Sequence, residues 1–308
     1  MKSHSVQAPS AVVLIRPHHF FPNPQTAADN SFQADNIDGS PDAVAKAAFR
    51  EASEVIATLE GRGVRVHVFE DETDQTPDSV FPNNWFSTHP GGHMAIYPMF
   101  AANRRKERRH DVVDMLKQKY RVQEVIDYSG LEPDGLFLEG TGAMVLDHIE
   151  RIAYAIRSNR TDPVLLERFC TQFNYEPMVF EARDRKGVAV YHTNVLMCIA
   201  TDFAAISLSM VAEAKRRAEI VRRLEESGRE IIDLSEEQIA RFAGNMMEVR
   251  GKDGRILALS QTAYEALGRS QIETIESYIP LVPLNIPTIE KAGGSVRCML
   301  AGIHLSSR

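Results

Sequence analysis

Leu138-Glu139-Gly140-Thr141-Gly142-Ala143-Met144-Val145-Leu146, Tyr191-His192-Thr193-Asn194-Val195-Leu196-Met197-Cys198-Ile199, Ala243-Gly244-Asn245-Met246-Met247-Glu248-Val249 and Val296-Arg297-Cys298-Met299-Leu300-Ala301-Gly302-Ile303 are four versions of one pattern. Each opens on a polar or reactive residue and runs into an apolar, strand-like tail. The heads fall at 139, 192, 245 and 298, three equal steps of 53. One further step back lands at 86, inside Phe81-Pro82-Asn83-Asn84-Trp85-Phe86-Ser87. Between the patches the spacing predicts helices. One runs over Pro163 to Phe173 behind Asp162 as N-cap, and another over Ser209 to Ser227, stopping before Gly228. Glu236 to Phe242 is a shorter one, and Thr262 to Leu267 opens a further helix. Every period therefore holds strand, helix and strand again, the mark of a repeat architecture. Five such units, helices outside and strands inside, close an α/β ring like a propeller. In that ring the strand heads converge on the axis, which brings Glu139, His192 and Cys298 together.

The 308 residues read as one catalytic domain, residues 1–308, with a core large enough to need neither disulfide nor structural metal. Hydrophobic residues make up 44% and charged residues 25%, as in ordinary globular chains. A net charge of −7 argues against nucleic acid or an anionic membrane as partner. The basic run Arg104-Arg105-Lys106-Glu107-Arg108-Arg109 reads as a solvated helix or loop. The apolar run Ala11 to Ile15 is too short for a secretory signal, and no segment reaches the length of a membrane span. Cys170, Cys198 and Cys298 cannot all pair, and no Cys/His cluster has zinc spacing, so a cytoplasmic protein without metal or cofactor is expected. A homodimer is compatible with the sequence, which does not decide the oligomeric state.

Cys298 follows Gly293-Gly294-Ser295 and precedes an apolar strand. Such a loop can carry a thiol into a pocket, where Arg297 or a cationic substrate would favour the thiolate. The commoner fate of a lone cysteine is a structural place in the core, which is the reading for Cys170 and Cys198. His192 is either a general acid/base for that thiol or a hydrogen-bonded core histidine. Glu139, between residues that let backbones approach closely, needs a partner if buried: a substrate N–H or a structural arginine. Asp78, in Thr76-Pro77-Asp78-Ser79-Val80-Phe81, reads by itself as a turn cap.

Five motifs in register carry a resemblance: Pro77-Asp78-Ser79-Val80-Phe81, Leu138-Glu139-Gly140, Ser158-Asn159-Arg160-Thr161, His192-Thr193-Asn194 and Gly293-Gly294-Ser295-Val296-Arg297-Cys298. Together they resemble the arginine deiminase and amidinotransferase superfamily, from about residue 12 onward. The resemblance implies a five-bladed pseudosymmetric α/β propeller and a Cys–His–Glu site. In that site Cys298 is the nucleophile, His192 the acid/base and Glu139 the carboxylate that holds the reacting group. It further implies that Arg160 clamps the substrate carboxylate and that Asp78 binds the substrate's polar end.

Two departures bear on the substrate. Where the dimethylarginine hydrolase branch carries Val-Glu-Asp after the PDSVF stretch, this chain has Pro82-Asn83-Asn84. Where deiminases carry an aspartate two residues beyond the histidine, it has Asn194. A guanidinium offers only donors and a positive charge, which suits carboxylates. A neutral ureido group also presents a carbonyl oxygen that needs a donor, and an amide supplies both. The pattern most resembles the citrulline-utilisation hydrolases, which implies citrulline cleaved to ornithine, carbon dioxide and ammonia, with Asn84 or Asn194 as oxyanion donor. The rivals are an arginine deiminase or dihydrolase, an amidinotransferase, and a non-catalytic ribosome-binding propeller.

Overall fold

The computed structural model of the protein describes residues 6–34 and 38–308. The repeat is real: the strands form five three-stranded sheets, each built in the same way. In the second blade Phe86–His89 and His93–Ile96 make an antiparallel hairpin. The chain then crosses through the helix His110–Lys119 and returns as Glu124–Asp127, parallel to the middle strand. The third blade repeats this with Met144–Asp147, Ile152–Ile156, the helix Pro163–Phe173 and Glu176–Phe180. The fourth uses Met197–Ile199, Phe203–Ile206, the helix Ala214–Glu226 and Glu230–Asp233. The fifth uses Met247–Gly251, Gly254–Ser260, two helices over Gln261–Ala266 and Arg269–Tyr278, and Leu281–Leu284. The middle strands are mostly apolar because both their faces are covered, and all of Ile152–Ile156 is buried.

The first blade closes the ring. Ala11–Pro17 is its middle strand, joined through the helix Pro41–Gly61 to the parallel strand Arg65–Asp71. Its inner strand comes from the other end of the chain, where Ala301 and Gly302 face Val13 and Val12 antiparallel. The fourth patch of the repeat thus tails into the first blade, not the fifth.

The crossover helices follow their local chemistry. Pro163–Phe173 starts where Asp162 accepts from the N–H groups of Val164 and Leu165, a cap that contributes about 1 kcal/mol. It buries Leu165, Leu166, Phe169, Cys170 and Phe173 against its sheet. The stretch expected as Ser209 to Ser227 is helical only from Ala214, behind a 3-10 turn at Leu208–Met210. The helix expected over Glu236 to Phe242 stops at Ile239, and Phe242 takes a left-handed conformation at φ 61°. Neighbouring blades are stapled by Arg229 and Asp147, a bidentate pair at 2.6 and 2.9 Å with both side chains 1% exposed.

The patch heads do not start the inner strands. Single helical turns at Gly140–Ala143, Thr193–Leu196 and Val296–Met299 precede three of these strands, and a 3-10 turn at Pro82–Asn84 precedes that of the second blade. Glu139 and His192 occupy equivalent places, each the N-cap of its turn and five residues before its strand. Asn245 stands two residues before Met247 and Cys298 three before Ala301. The equal spacing of 53 therefore marks the blades but not homologous positions. The turns crowd the axis: a Cβ on Gly142 would lie 2.1 Å from Asn84 Nδ2 and 2.9 Å from His192 Nδ1.

Candidate active site

Each of these turns aims one or two side chains at the axis, and the fold gathers the expected residues there. His192 Nε2 lies 2.9 Å from Glu139 Oε2. Asn194, two residues beyond His192, donates from Nδ2 to the Cys298 sulfur at 3.1 Å. Asn84 borders Glu139, with Nδ2 3.5 Å from its carbonyl oxygen. Cys298, His192, Glu139, Asp78, Asn84, Arg160 and Asn194 are all 4% exposed or less, so the site is closed from bulk water.

Glu139 is held from several sides within the protein. Its Oε1 accepts from the N–H of Phe100 at 3.0 Å and its Oε2 faces His192. Arg160 Nη1 lies 3.5 Å and Arg104 Nη1 3.8 Å from the same Oε2. Both oxygens are thus occupied from within the protein, and the carboxylate orients the imidazole. Burial opposes its charge, but Arg160, His192 and Arg104 outweigh burial and hold it well below the usual carboxylate range. Burial pulls His192 below the ordinary histidine value, with Glu139 opposing and Arg160 and Arg104 adding to the fall. An imidazole that is neutral, with Nε2 held by a carboxylate, has Nδ1 left for a reacting group.

Arg160 is also engaged. Asp29, on the segment after Phe20-Phe21, accepts from its Nε at 2.9 Å and from its Nη2, and from Asn159 Nδ2 at 2.6 Å. The guanidinium stacks 4.7 Å above the Tyr191 ring. Asp29 thus occupies the fork that the sequence assigns to a substrate carboxylate. The same segment is pinned beside the loop that leads to Cys298, where Asn30 Nδ2 donates to the Ala292 carbonyl at 3.1 Å and Ala34 N–H to that of Lys291 at 2.9 Å.

The basic run is the clearest correction. Arg104 and Glu107 are 3% and 2% exposed and belong to the site rather than to a solvated face. Arg104 makes a fork to Glu107 at 2.9 Å through both Nε and Nη2, and Nη2 donates to Asn84 Oδ1 at 3.2 Å. Its Nε lies 3.6 Å from Asp78 Oδ2. Burial works against its charge, yet Glu107, Asp78 and Glu139 keep it firmly cationic. Asp78 is buried beside Arg104. Its Oδ2 accepts from Asn23 Nδ2 at 2.8 Å, and its Oδ1 has no partner.

Cys298 sits inside the turn Val296–Met299, 4% exposed. Among the described residues its hydrogen-bond partners are two amides, Asn194 at 3.1 Å and Asn245 at 3.3 Å. Cys170 and Cys198 are buried and free, and burial pushes both thiols up to about 12, which leaves them unreactive. No cluster of three or more His, Cys, Asp or Glu among the described residues could hold a metal ion. Likewise, no described helix is long and apolar enough to cross a membrane.

A buried thiol, an imidazole on a carboxylate, two arginines and convergent amides on the axis of five such blades can open a carbon–nitrogen bond at a planar, nitrogen-substituted carbon. The family model described as N,N dimethylarginine dimethylhydrolase, eukaryotic, matches residues 16–305. The chain belongs to that family. It is a hydrolase of carbon–nitrogen bonds in arginine-like substrates, in the guanidino-modifying superfamily that its motifs resemble. No curated protein matches the sequence. Among solved structures it resembles the substrate-bound N-terminal domain of ArgZ, an arginine dihydrolase from the ornithine–ammonia cycle in cyanobacteria. Identity there is 17% over 96% of this chain and 98% of that one, at TM-score 0.74. AgrE in complex with ornithine and NAD+ matches at 18% identity and TM-score 0.73, over 97% of this chain and 40% of that one. A dimethylarginine dimethylaminohydrolase carrying an S-methyl-L-thiocitrulline adduct matches at 16% identity and TM-score 0.61, over 96% and 99%. At these identities the likeness is one of fold, and it agrees with the five-sheet ring.

Proposed function

We propose that the protein hydrolyses citrulline to ornithine, carbon dioxide and ammonia, with Cys298 as nucleophile, His192 as acid/base and Glu139 orienting the imidazole. One observation carries the choice of a ureido group: the polarity of the two amides is fixed by their neighbours. Arg104 can only donate, so Asn84 turns Oδ1 to it and keeps Nδ2 as a donor. Asn194 points its Nδ2 at the Cys298 sulfur, and its Oδ1 is buried without a partner. The site thus offers a ureido group one N–H for its carbonyl oxygen and one acceptor for its N–H. The expectation that Asn194 donates to the oxyanion gives way to Asn84 alone.

The chemistry then runs in two halves. Neutral His192 takes the Cys298 thiol proton as the sulfur bonds to the ureido carbon, a carbon–nitrogen bond breaks, and the imidazolium delivers that proton to the departing nitrogen. Water, giving a proton to His192, cleaves the resulting thiocarbamate, and that proton returns to the departing sulfur. The carbamate so formed releases carbon dioxide and the second amine. The substrate's carboxylate takes the Arg160 fork by displacing Asp29, and its ammonium is suited to the free oxygen of Asp78. The whole chain acts as one catalytic domain, and three unpaired cysteines suit a cytoplasmic place of work.

The likeness to ArgZ favours a second reading, arginine as the substrate, because ArgZ is an arginine dihydrolase. A product assay over citrulline, arginine, agmatine and methylated arginines, run beside Cys298→Ala, separates the two. Ornithine formed from citrulline and lost in the variant is the expected result. Turnover of arginine with none of citrulline overturns it.

A further inference from the structure

Asn245 heads the fifth repeat and is fully buried, yet the sequence pattern gives it no chemistry. Its side chain ties three elements at the axis. Oδ1 accepts from the backbone N–H of Arg297 at 2.9 Å, inside the turn that carries the thiol. Nδ2 donates to the Asn194 carbonyl at 2.8 Å and to the Cys298 sulfur at 3.3 Å. A backbone N–H can only donate and a carbonyl only accept, so these two partners fix which end of the amide meets the sulfur.

We propose that Asn245 is a positioning residue that holds the Cys298 sulfur in its reactive form by direct N–H donation, beyond its part in bracing the turn. The proposal rests on Cys298 being the nucleophile. Donors that point at a sulfur stabilise the thiolate over the thiol, as donors do for any anion. Here two amides from adjacent blades do so together, Asn194 at 3.1 Å and Asn245 at 3.3 Å. The ionisable groups around the sulfur come from each neighbouring element. Arg297 follows in the same turn, and its guanidinium donates to the Leu300 carbonyl at 3.2 Å. Tyr191 and His192 lie on the fourth blade's approach, and Glu290 binds the Ser295 hydroxyl at 2.7 Å at the start of the turn. Among the described residues none of these hydrogen-bonds the sulfur, so the amides are its immediate support.

Asn245→Asp keeps the brace to the turn that carries the thiol but removes both donations. It is isosteric and still accepts from the Arg297 N–H, but it has no N–H for the sulfur or for the Asn194 carbonyl and adds a negative charge beside them. Asn245→Ala loses both roles. The rate of Cys298 alkylation by iodoacetamide, read by mass spectrometry of its peptide across pH, should move to higher pH in Asn245→Asp by about one unit or more. With citrulline, kcat at neutral pH should fall at least about tenfold with KM little changed, and part of it should return as pH rises. In the wild-type protein, whose folding is not at issue, the Asn245 side-chain amide resonance should shift when Cys298 is alkylated. An Asn245→Asp alkylation profile equal to the wild type, or an amide resonance indifferent to alkylation, reduces Asn245 to a structural brace. Full turnover by Cys298→Ala would instead remove the nucleophile reading, and the thiol's alkylation profile is read independently of turnover.

Discussion

Asparagine 84 differs from an aspartate by one N–H group and one charge, and that difference decides what the axis can hold. Its Oδ1 takes the Arg104 guanidinium, so Nδ2 is the donor end, with one N–H toward the Glu139 carbonyl at 3.5 Å and a second left over. In Asn84→Asp that donor becomes a carboxylate oxygen, which repels a ureido carbonyl and attracts a guanidinium. Steady-state kinetics should show kcat/KM for citrulline falling by about 100-fold, the loss expected for one oxyanion donor, while the ratio of arginine to citrulline turnover rises. The sequence already distinguished this position, because amides stood where the resembled branches carry acids. Arg104 was hidden in plain charge: within Arg104-Arg105-Lys106-Glu107-Arg108-Arg109 all six residues look alike, and only packing selects two of them for burial. Asn245 was legible as a repeat head, but an amide acquires a role only from what it touches.

The elements that matter most are the single turns before the inner strands, since each swings a side chain off its strand and onto the axis. In Gly140–Ala143 the glycines permit this approach. In Gly142→Ala the added methyl would press on Asn84 Nδ2 and His192 Nδ1 together, at 2.1 and 2.9 Å. The sheet behind it is untouched, so the variant should fold with near-native circular dichroism. Displacing either group by about 1 Å should lower kcat/KM about 100-fold. A variant as active as the wild type would show that the turn yields freely. The strand-like tails of the four patches were readable, as was the helix Pro163–Phe173 to the residue, whereas the helices Pro41–Gly61 and His110–Lys119 were not read. The turns were not, because four residues are too few to show a period, and the ends of the helices at Ala214 and Ile239 were set by loop geometry.

At the scale of the molecule, the ring holds through contacts between blades distant in sequence. Asp147 and Arg229, 82 positions apart and both 1% exposed, form one such contact. Asp147→Ala strands a buried guanidinium, and denaturant unfolding should report a loss of roughly 3–5 kcal/mol. Replacing both with apolar residues should restore much of it. The ring's far end also makes it sensitive to acid. Burial, reinforced by the charge of Arg297, pulls His304 down to about 4 from 6.5. The unfolded chain therefore takes up that proton first. The stability supplied by a neutral His304 is complete above pH 6.5 and is lost as pH falls toward 4. Thermal melts across that window should show His304→Asn losing less stability than the wild type. Parallel curves would mean His304 takes its proton as readily folded as unfolded.

The sequence by itself determined the repeat and its five-bladed ring, and it singled out a thiol, an imidazole and a carboxylate as candidates, because periodic apolar segments and motif order are local properties. The tertiary structure decided which oxygen, nitrogen or sulfur each group faces. It turned Glu139 toward His192, set Asp29 against Arg160, drew Arg104 inside and fixed the direction of the amides on the axis. Those choices depend on blades brought together around one centre, where a buried donor must find an acceptor and the nearest acceptor lies far away along the chain.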